Sequence, residues 1–216
     1  MILKPKNREE WLNLRQEVGI GGSEAGCVIG MNKYQSNVDL WELKTGLRET
    51  ADLSDNEAVK FGKYAEEHIR ALFVQDYPEF DVDYHEFWMY QNDNFPFIFA
   101  TLDGELTDKK TGMRGILEIK TTTIRNKNQW DDWDNKIPDS YYAQILHQLA
   151  ATGWDFAILT AYIRYYKDGE LRIAIRHYRI ERKDIEQDIA YLIEAETEFM
   201  NKVKNRIRPN LILPKI

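Results

Sequence analysis

The chain has 216 residues, 43% of them hydrophobic, with a formal charge of −7. That is enough for one domain with a substantial core, and the acidic balance argues against a protein that coats nucleic acid indiscriminately, though not against a local basic groove. Its one cysteine, Cys27, excludes an intrachain disulfide, a zinc cluster or an iron–sulfur cluster held by this chain, and reads as a small packing residue.

In chain order, the pattern predicts a helix over 7–17, a glycine turn, "GSEAGCVIG" opening a second helix, "SNVDLWELKTG" as a third, and a helix over 55–76. Strands follow at 81–91, 95–103 and 114–122. After an irregular stretch around "NKNQWDDWDNKIP" come a helix over 139–152, strands at 154–165 and 171–180, and a helix over 183–206. Helices around a central mixed sheet make an α/β protein. No repeat or linker divides the chain, so residues 1–216 read as a single domain. The start, "MILKPKNREEW", has no apolar run like a signal peptide, and no eighteen apolar residues occur together, so we expect a soluble cytoplasmic protein without membrane contact.

The turn-like "DKKTG" separates two strands that carry charge. A hairpin folded about Lys110 and Thr111 pairs residues whose numbers share one sum, which sets Asp103 directly opposite Glu118, with Cβ atoms about 4.5–5.5 Å apart on one face. Two carboxylates so placed repel, and a cation belongs between them. Lys120, two residues beyond Glu118 and on its face, is one candidate. A divalent metal with hard oxygen ligands, Mg²⁺ or Mn²⁺, is the other.

On the helix over 55–76, Ala65, Ile69, Leu72 and Phe73 form an apolar face. Glu66 lies at its margin, one turn after Gly62, whereas Glu67 points to the opposite side with Lys60, Lys63 and Arg70. Glu66 is thus either an edge residue reaching water or a third carboxylate aimed at the sheet. On the helix over 139–152, Tyr142, Ile145 and Leu149 make an apolar stripe beside a polar one of Tyr141, Gln144, Gln148 and Thr152. The polar stripe suits a phosphate or a bound water, and equally an exposed face. Two basic stretches admit the same two readings, phosphate contacts or solvated faces. One runs from Arg164 to Lys183, seven cations against three acids; the other is the tail with Lys202, Lys204, Arg206, Arg208 and Lys215.

Together these motifs resemble the lambda-exonuclease/YqaJ viral recombinase family, within the PD-(D/E)XK nuclease superfamily. The resemblance runs from Trp11 to Tyr162. It rests on "LRQEVGIGGSEAGCVIGMNKYQSNVDLWELKTG", on "FGKYAEE" as the G-x-x-x-E helix that selects Glu66, on "TLDG" and "LEIKT" as the nuclease core, and on "YYAQILHQLAATG" as the Y-x-x-Q helix. It implies a restriction-endonuclease-like core. Asp103, Glu118 and the Ile119 carbonyl would be metal ligands, Glu66 would assist a second ion, Lys120 would be the catalytic lysine, and Gln144 would join this catalytic set. Arg15, Ser23, Thr101 and Gln144 would form a phosphate pocket, with Gln148 and Tyr141 as further candidates. Arg15 stands one residue farther from the serine than the family pattern, and Leu146 replaces a frequent glutamine.

The activity implied is a Mg²⁺-dependent 5′→3′ exonuclease acting on ends of double-stranded DNA, with Mn²⁺ as a substitute ion. Its setting would be phage or prophage recombination in a bacterial host, with a single-strand annealing protein as partner and a ring-shaped homotrimer as assembly. The rivals are a structure-selective or restriction-type endonuclease on the same core, and a DNA-binding module that does not cut. A glycosidase-like carboxylate pair leaves Lys120 and the glutamines unexplained.

Overall fold

The computed structural model describes residues 1–49 and 55–213. β1 (Ile2–Leu3) leads into α1 (Arg8–Val18), whose first turn is capped by Asn7 accepting from the Glu10 N–H at 3.0 Å. Gly19, at φ 149°, then turns the chain so close to Phe97 that a Cβ would lie 2.4 Å from its carbonyl oxygen. β2 (Ile20–Gly21) runs straight into α2 (Gly22–Val28). α3 (Asn37–Lys44) starts at a reciprocal Ser36–Asp39 cap, and α4 (Glu57–Asp76) at Asn56, which accepts from the Ala58 and Val59 N–H groups.

Five strands follow: β3 (Phe80–Asp83), β4 (Met89–Gln91), β5 (Ile98–Ala100), β6 (Gly104–Asp108) and β7 (Arg114–Ile124). A short helix, α5 (Lys127–Asp131), occupies part of the stretch expected to be irregular. α6 (Asp139–Thr152) stops at Gly153 in the left-handed conformation. β8 (Phe156–Lys167) and β9 (Glu170–Glu181) form a long hairpin before the last helix, α7 (Glu186–Lys204).

The strands make two mixed sheets, ordered β3-β6-β7-β8-β9 and β1-β4-β5-β2, with β7–β8 and β2–β5 as the parallel pairs. Two expected strands are therefore corrected. The run over 81–91 is two strands in different sheets. The run over 95–103 contributes only β5, an inner strand of the smaller sheet, buried at all three residues and hence continuously apolar rather than alternating. The strand that faces β7 in the hairpin is β6. The register itself holds, since Gly104 pairs with Leu117 and Glu105 with Ile116, the same sum that sets residue 103 against 118.

Strand alternation sorts the core. Leu117, Ile119 and Ile158 pack with Ile69 and Phe73 of α4 on one face of the larger sheet. Ile116, Leu159 and Ala161 pack with Ile145 and Leu149 of α6 on the other. Leu72, expected on the apolar face of α4, is 43% exposed, because α4 meets the sheet along a narrower stripe. Cys27 is buried with Ile20, Leu40, Trp41 and Phe199 between α2, α3 and α7, and its thiol is pushed up to about 12 by burial and by Glu24.

Candidate active site

β6 begins opposite Leu117, so from Glu118 onward that edge of β7 has no strand beside it. Into this gap the chain crosses from the smaller sheet to the larger through Thr101, Leu102 and Asp103. The Ile119 N–H, which a continuing strand would have taken, donates instead to Asp103 Oδ2 at 2.8 Å. The N–H and C=O of one strand residue point to the same side, so the Ile119 carbonyl also faces the gap.

Glu118 is 2% exposed, and each of its oxygens takes a donor. Gln144 Nε2 donates to Oε1 at 2.6 Å, Gln148 Nε2 to Oε2 at 2.5 Å, and Lys120 Nζ lies 2.7 Å from Oε1. The polar stripe of α6 is therefore no exposed face. It holds the carboxylate from above, and Thr152 closes the stripe by donating to the Gln148 carbonyl. Tyr141 covers Lys120, whose Nζ lies 5.0 Å from its ring centroid.

Electrostatics couples the acids. Burial pushes the Asp103 carboxyl well above the usual range, and the Glu118 and Glu66 carboxylates push it the same way, against Lys120 and the Ile119 N–H. Glu66 is raised too, by burial and then by Glu118, against Lys120, Arg70 and Lys63. Burial opposes the Lys120 ammonium, yet Glu118 and Asp103 more than offset it, and its pKa lies above that of free lysine. Like charge gathered in a low-dielectric pocket is how functional sites shift their acids.

Glu66 comes from α4 on the opposite sheet face. Gly62, one turn earlier, lets that helix approach, since a Cβ there would sit 3.2 Å from Thr121 Oγ1. Among the described residues no three His, Cys, Asp or Glu side chains converge into a metal cage of their own. The donors that do face the gap are all oxygen: Asp103, the Ile119 carbonyl and the remaining acceptor capacity of Glu118. Such a set fits a hard cation that completes its shell with water, as Mg²⁺ and Mn²⁺ do.

The expected phosphate residues gather next to this site. Arg15 lies 4.7 Å from the Trp11 ring, and its guanidinium is 3.2 Å from where a Gly21 Cβ would be. Ser23 is exposed in the first turn of α2. Thr101 accepts from the Trp11 indole at 3.0 Å, and Gln144 packs 3.3 Å from the position of a Gly22 Cβ. Leu146, by contrast, is core at 3% exposure. Two contributors escaped the sequence reading. Lys44 is nearly buried in an ion pair with Glu24 at 2.8 Å, and Glu24 in turn accepts from the Gly21 N–H, fixing the turn that opens α2. Arg70, grouped with the solvent-facing lysines, instead donates to the Asp103 main-chain carbonyl.

The basic run from Arg164 to Lys183 is largely committed internally. Arg172, Arg179 and Arg182 are ion-paired, Arg164 donates to Thr123, and Arg176 donates to the Trp133 carbonyl. A cavity of about 810 Å³ lies between the loop after α5 and β9, lined by Trp133, Ile137, Tyr142 and Tyr178, away from the carboxylates.

Residues 10–155 match the model of the YqaJ-like viral recombinase domain. The chain belongs to this family. The uncharacterized protein YqaJ of Bacillus subtilis (strain 168) is 30% identical over 211 residues, 90% of this chain and 56% of that protein. The chain thus spans about half the length of this curated relative. The fold is that of an alkaline exonuclease (LHK-Exo) from Laribacter hongkongensis, at a TM-score of 0.67 and 22% identity over 93% of this chain and 94% of that one. A structure of LHK-Exo in complex with dAMP matches equally. Among the described residues no helix is long and apolar enough to cross a membrane.

Proposed function

We propose that this chain is a divalent-metal-dependent exonuclease that degrades one strand of duplex DNA from its end in the 5′→3′ direction. Membership of a family described as viral recombinase supports this, as does a fold shared with a protein named an alkaline exonuclease. The observation that carries it is Glu118, buried opposite Asp103 and held at once by Lys120, Gln144 and Gln148. A module that only gripped DNA would have no use for a carboxylate so costly to bury and so fully oriented.

Asp103, Glu118 and the Ile119 carbonyl would hold Mg²⁺, or Mn²⁺ in its place, with Glu66 assisting a second ion, and the bound cation would supply Lewis-acid stabilisation of charge on the phosphate. The chain's own groups do the rest. Gln144 and Gln148 fix Glu118 so that it need not reorganise during reaction. Lys120, protonated in this arrangement, orients the attacking water and adds positive charge beside the developing phosphorane. Arg15, Ser23, Thr101 and Gln144 cradle the 5′-terminal phosphate, and so set both the register of cutting and its direction. The family further implies a role in recombination by strand annealing, with a single-strand annealing protein as partner and a homotrimeric ring as the working assembly.

The test compares linear and closed circular duplexes, with Mg²⁺ and with EDTA, on 5′-phosphorylated and 5′-hydroxyl ends. Linear DNA should be degraded only with Mg²⁺, circular DNA should be spared, and the phosphorylated end should be faster. Arg15→Ala should narrow that end preference by about 10-fold or more, the loss of a charge-assisted contact of roughly 1.5–3 kcal/mol. Cutting of circular DNA favours the endonuclease reading instead.

A further inference from the structure

Asp103 belongs to neither sheet, because β5 ends at Ala100 and the β6–β7 ladder starts at Gly104. A carboxylate on such a crossing segment has no ladder to fix it. Two contacts tie Asp103 down. Its Oδ2 takes the Ile119 N–H, and its main-chain carbonyl takes the guanidinium of Arg70. Arg70 is itself anchored. It lies one turn beyond Glu66 on α4, it is half-buried, and its guanidinium stacks on Tyr84 with Cζ 3.7 Å from the ring centroid. One rigid, planar group therefore links the helix that carries Glu66 to the segment that carries Asp103.

We infer that Arg70 is a positioning residue: by joining α4 to the crossing segment and stacking on Tyr84, it fixes the separation of Glu66 and Asp103 across the gap. The inference rests on the nuclease reading for its consequence, since two acids from separate elements hold a cation well only if their spacing is set in advance. Arginine suits the task where lysine does not. A lysine could donate to the carbonyl but could not lie flat on the tyrosine while doing so. Tyr84 follows β3, so the link also ties that strand end to the site.

The test uses the full chain as Arg70→Gln, Arg70→Lys and Tyr84→Leu. Amide hydrogen exchange is read at Ile119, whose N–H is held by the Asp103 carboxylate alone, and at Leu159 in the middle of the larger sheet as the folding reference. Mn²⁺ binding is read by calorimetry without DNA. Arg70→Gln should lose protection at Ile119 while Leu159 keeps it, and should bind Mn²⁺ about 10- to 100-fold more weakly. Arg70→Lys should recover part of both, and Tyr84→Leu should move both in the same direction by less. Should Arg70→Gln expose Leu159 as well, the exposed-side variant Tyr84→Leu carries the test. Unchanged Ile119 protection together with unchanged Mn²⁺ affinity in folded variants overturns the inference. A wild type that binds no Mn²⁺ overturns the nuclease reading instead, and the exchange measurement then still decides the role of Arg70.

Discussion

At the scale of single residues, the site separates groups that hold charge in place from the group that answers it. Asp103 and Glu118 face the gap as oxygen donors, whereas Lys120 lies against Glu118 as a cation. Replacing either acid by alanine should abolish Mn²⁺ binding and cleavage together. Lys120→Ala should lower cleavage by about 100- to 10,000-fold and leave Mn²⁺ bound as well or better, because the lysine competes for Glu118. Calorimetry and a nuclease assay on the same preparations separate the cases, and normal cleavage by Lys120→Ala would exclude the mechanism. The acids and the lysine were legible in the sequence because an antiparallel register depends only on the turn, and side-chain alternation follows from the register. The partners of Glu118 were only half legible. A helical stripe of Gln144 and Gln148 reads as polar, but nothing local says whether it meets water or a carboxylate across 26 or 30 residues.

At the scale of elements, α4 shows what helical geometry does and does not fix. Spacing alone separated Glu66 from Glu67, and Glu66 is half-buried within electrostatic reach of Glu118 and Asp103, whose carboxyls it raises or is raised by, while Glu67 is exposed. Glu66→Gln should therefore reduce cleavage by about 10- to 100-fold, and Glu67→Gln should stay near wild type. Equal effects in a side-by-side rate measurement would mean that α4 does not deliver a functional acid. The same spacing misplaced Arg70 and Leu72. A cation four residues after a carboxylate looks the same whether it is solvated or bound, and the width of the buried stripe depends on how the sheet twists beneath the helix. The strands before the hairpin were misdrawn for a related reason. An apolar run such as "FPFIFATLD" does not record where the chain changes sheet, and it is at that change of sheet that Asp103 sits.

At the scale of the whole molecule, one buried pair joins the layers. His147 on α6 places Nδ1 2.6 Å from Glu196 Oε1 on α7 and Nε2 2.9 Å from the Phe99 carbonyl on β5, with both side chains fully buried. Both ring nitrogens face acceptors, so the imidazolium is the form that satisfies them. Burial works against that charge, but Glu196 and the Phe99 carbonyl outweigh it and raise the His147 pKa above its ordinary value. A histidine raised on folding stabilises fully below its unfolded pKa of about 6.5, and this contribution is lost as pH rises through the folded value. Asp103 and Glu66, also raised on folding, change stability in the same direction, so the informative quantity is a difference between variants. His147→Leu alone should cost about 3–5 kcal/mol by stranding Glu196, whereas the His147→Leu/Glu196→Leu pair should cost far less and should flatten the decline of stability above neutral pH. Urea midpoints across pH for wild type and the double variant read this directly, and parallel profiles would show that the pair does not titrate as described. Because the pair ties the smaller sheet to the helices on the larger one, we also expect a single cooperative transition, as for one domain, by both tryptophan fluorescence and circular dichroism. Separate transitions by the two probes would mean that the two sheets unfold as independent units and that His147 does not couple them.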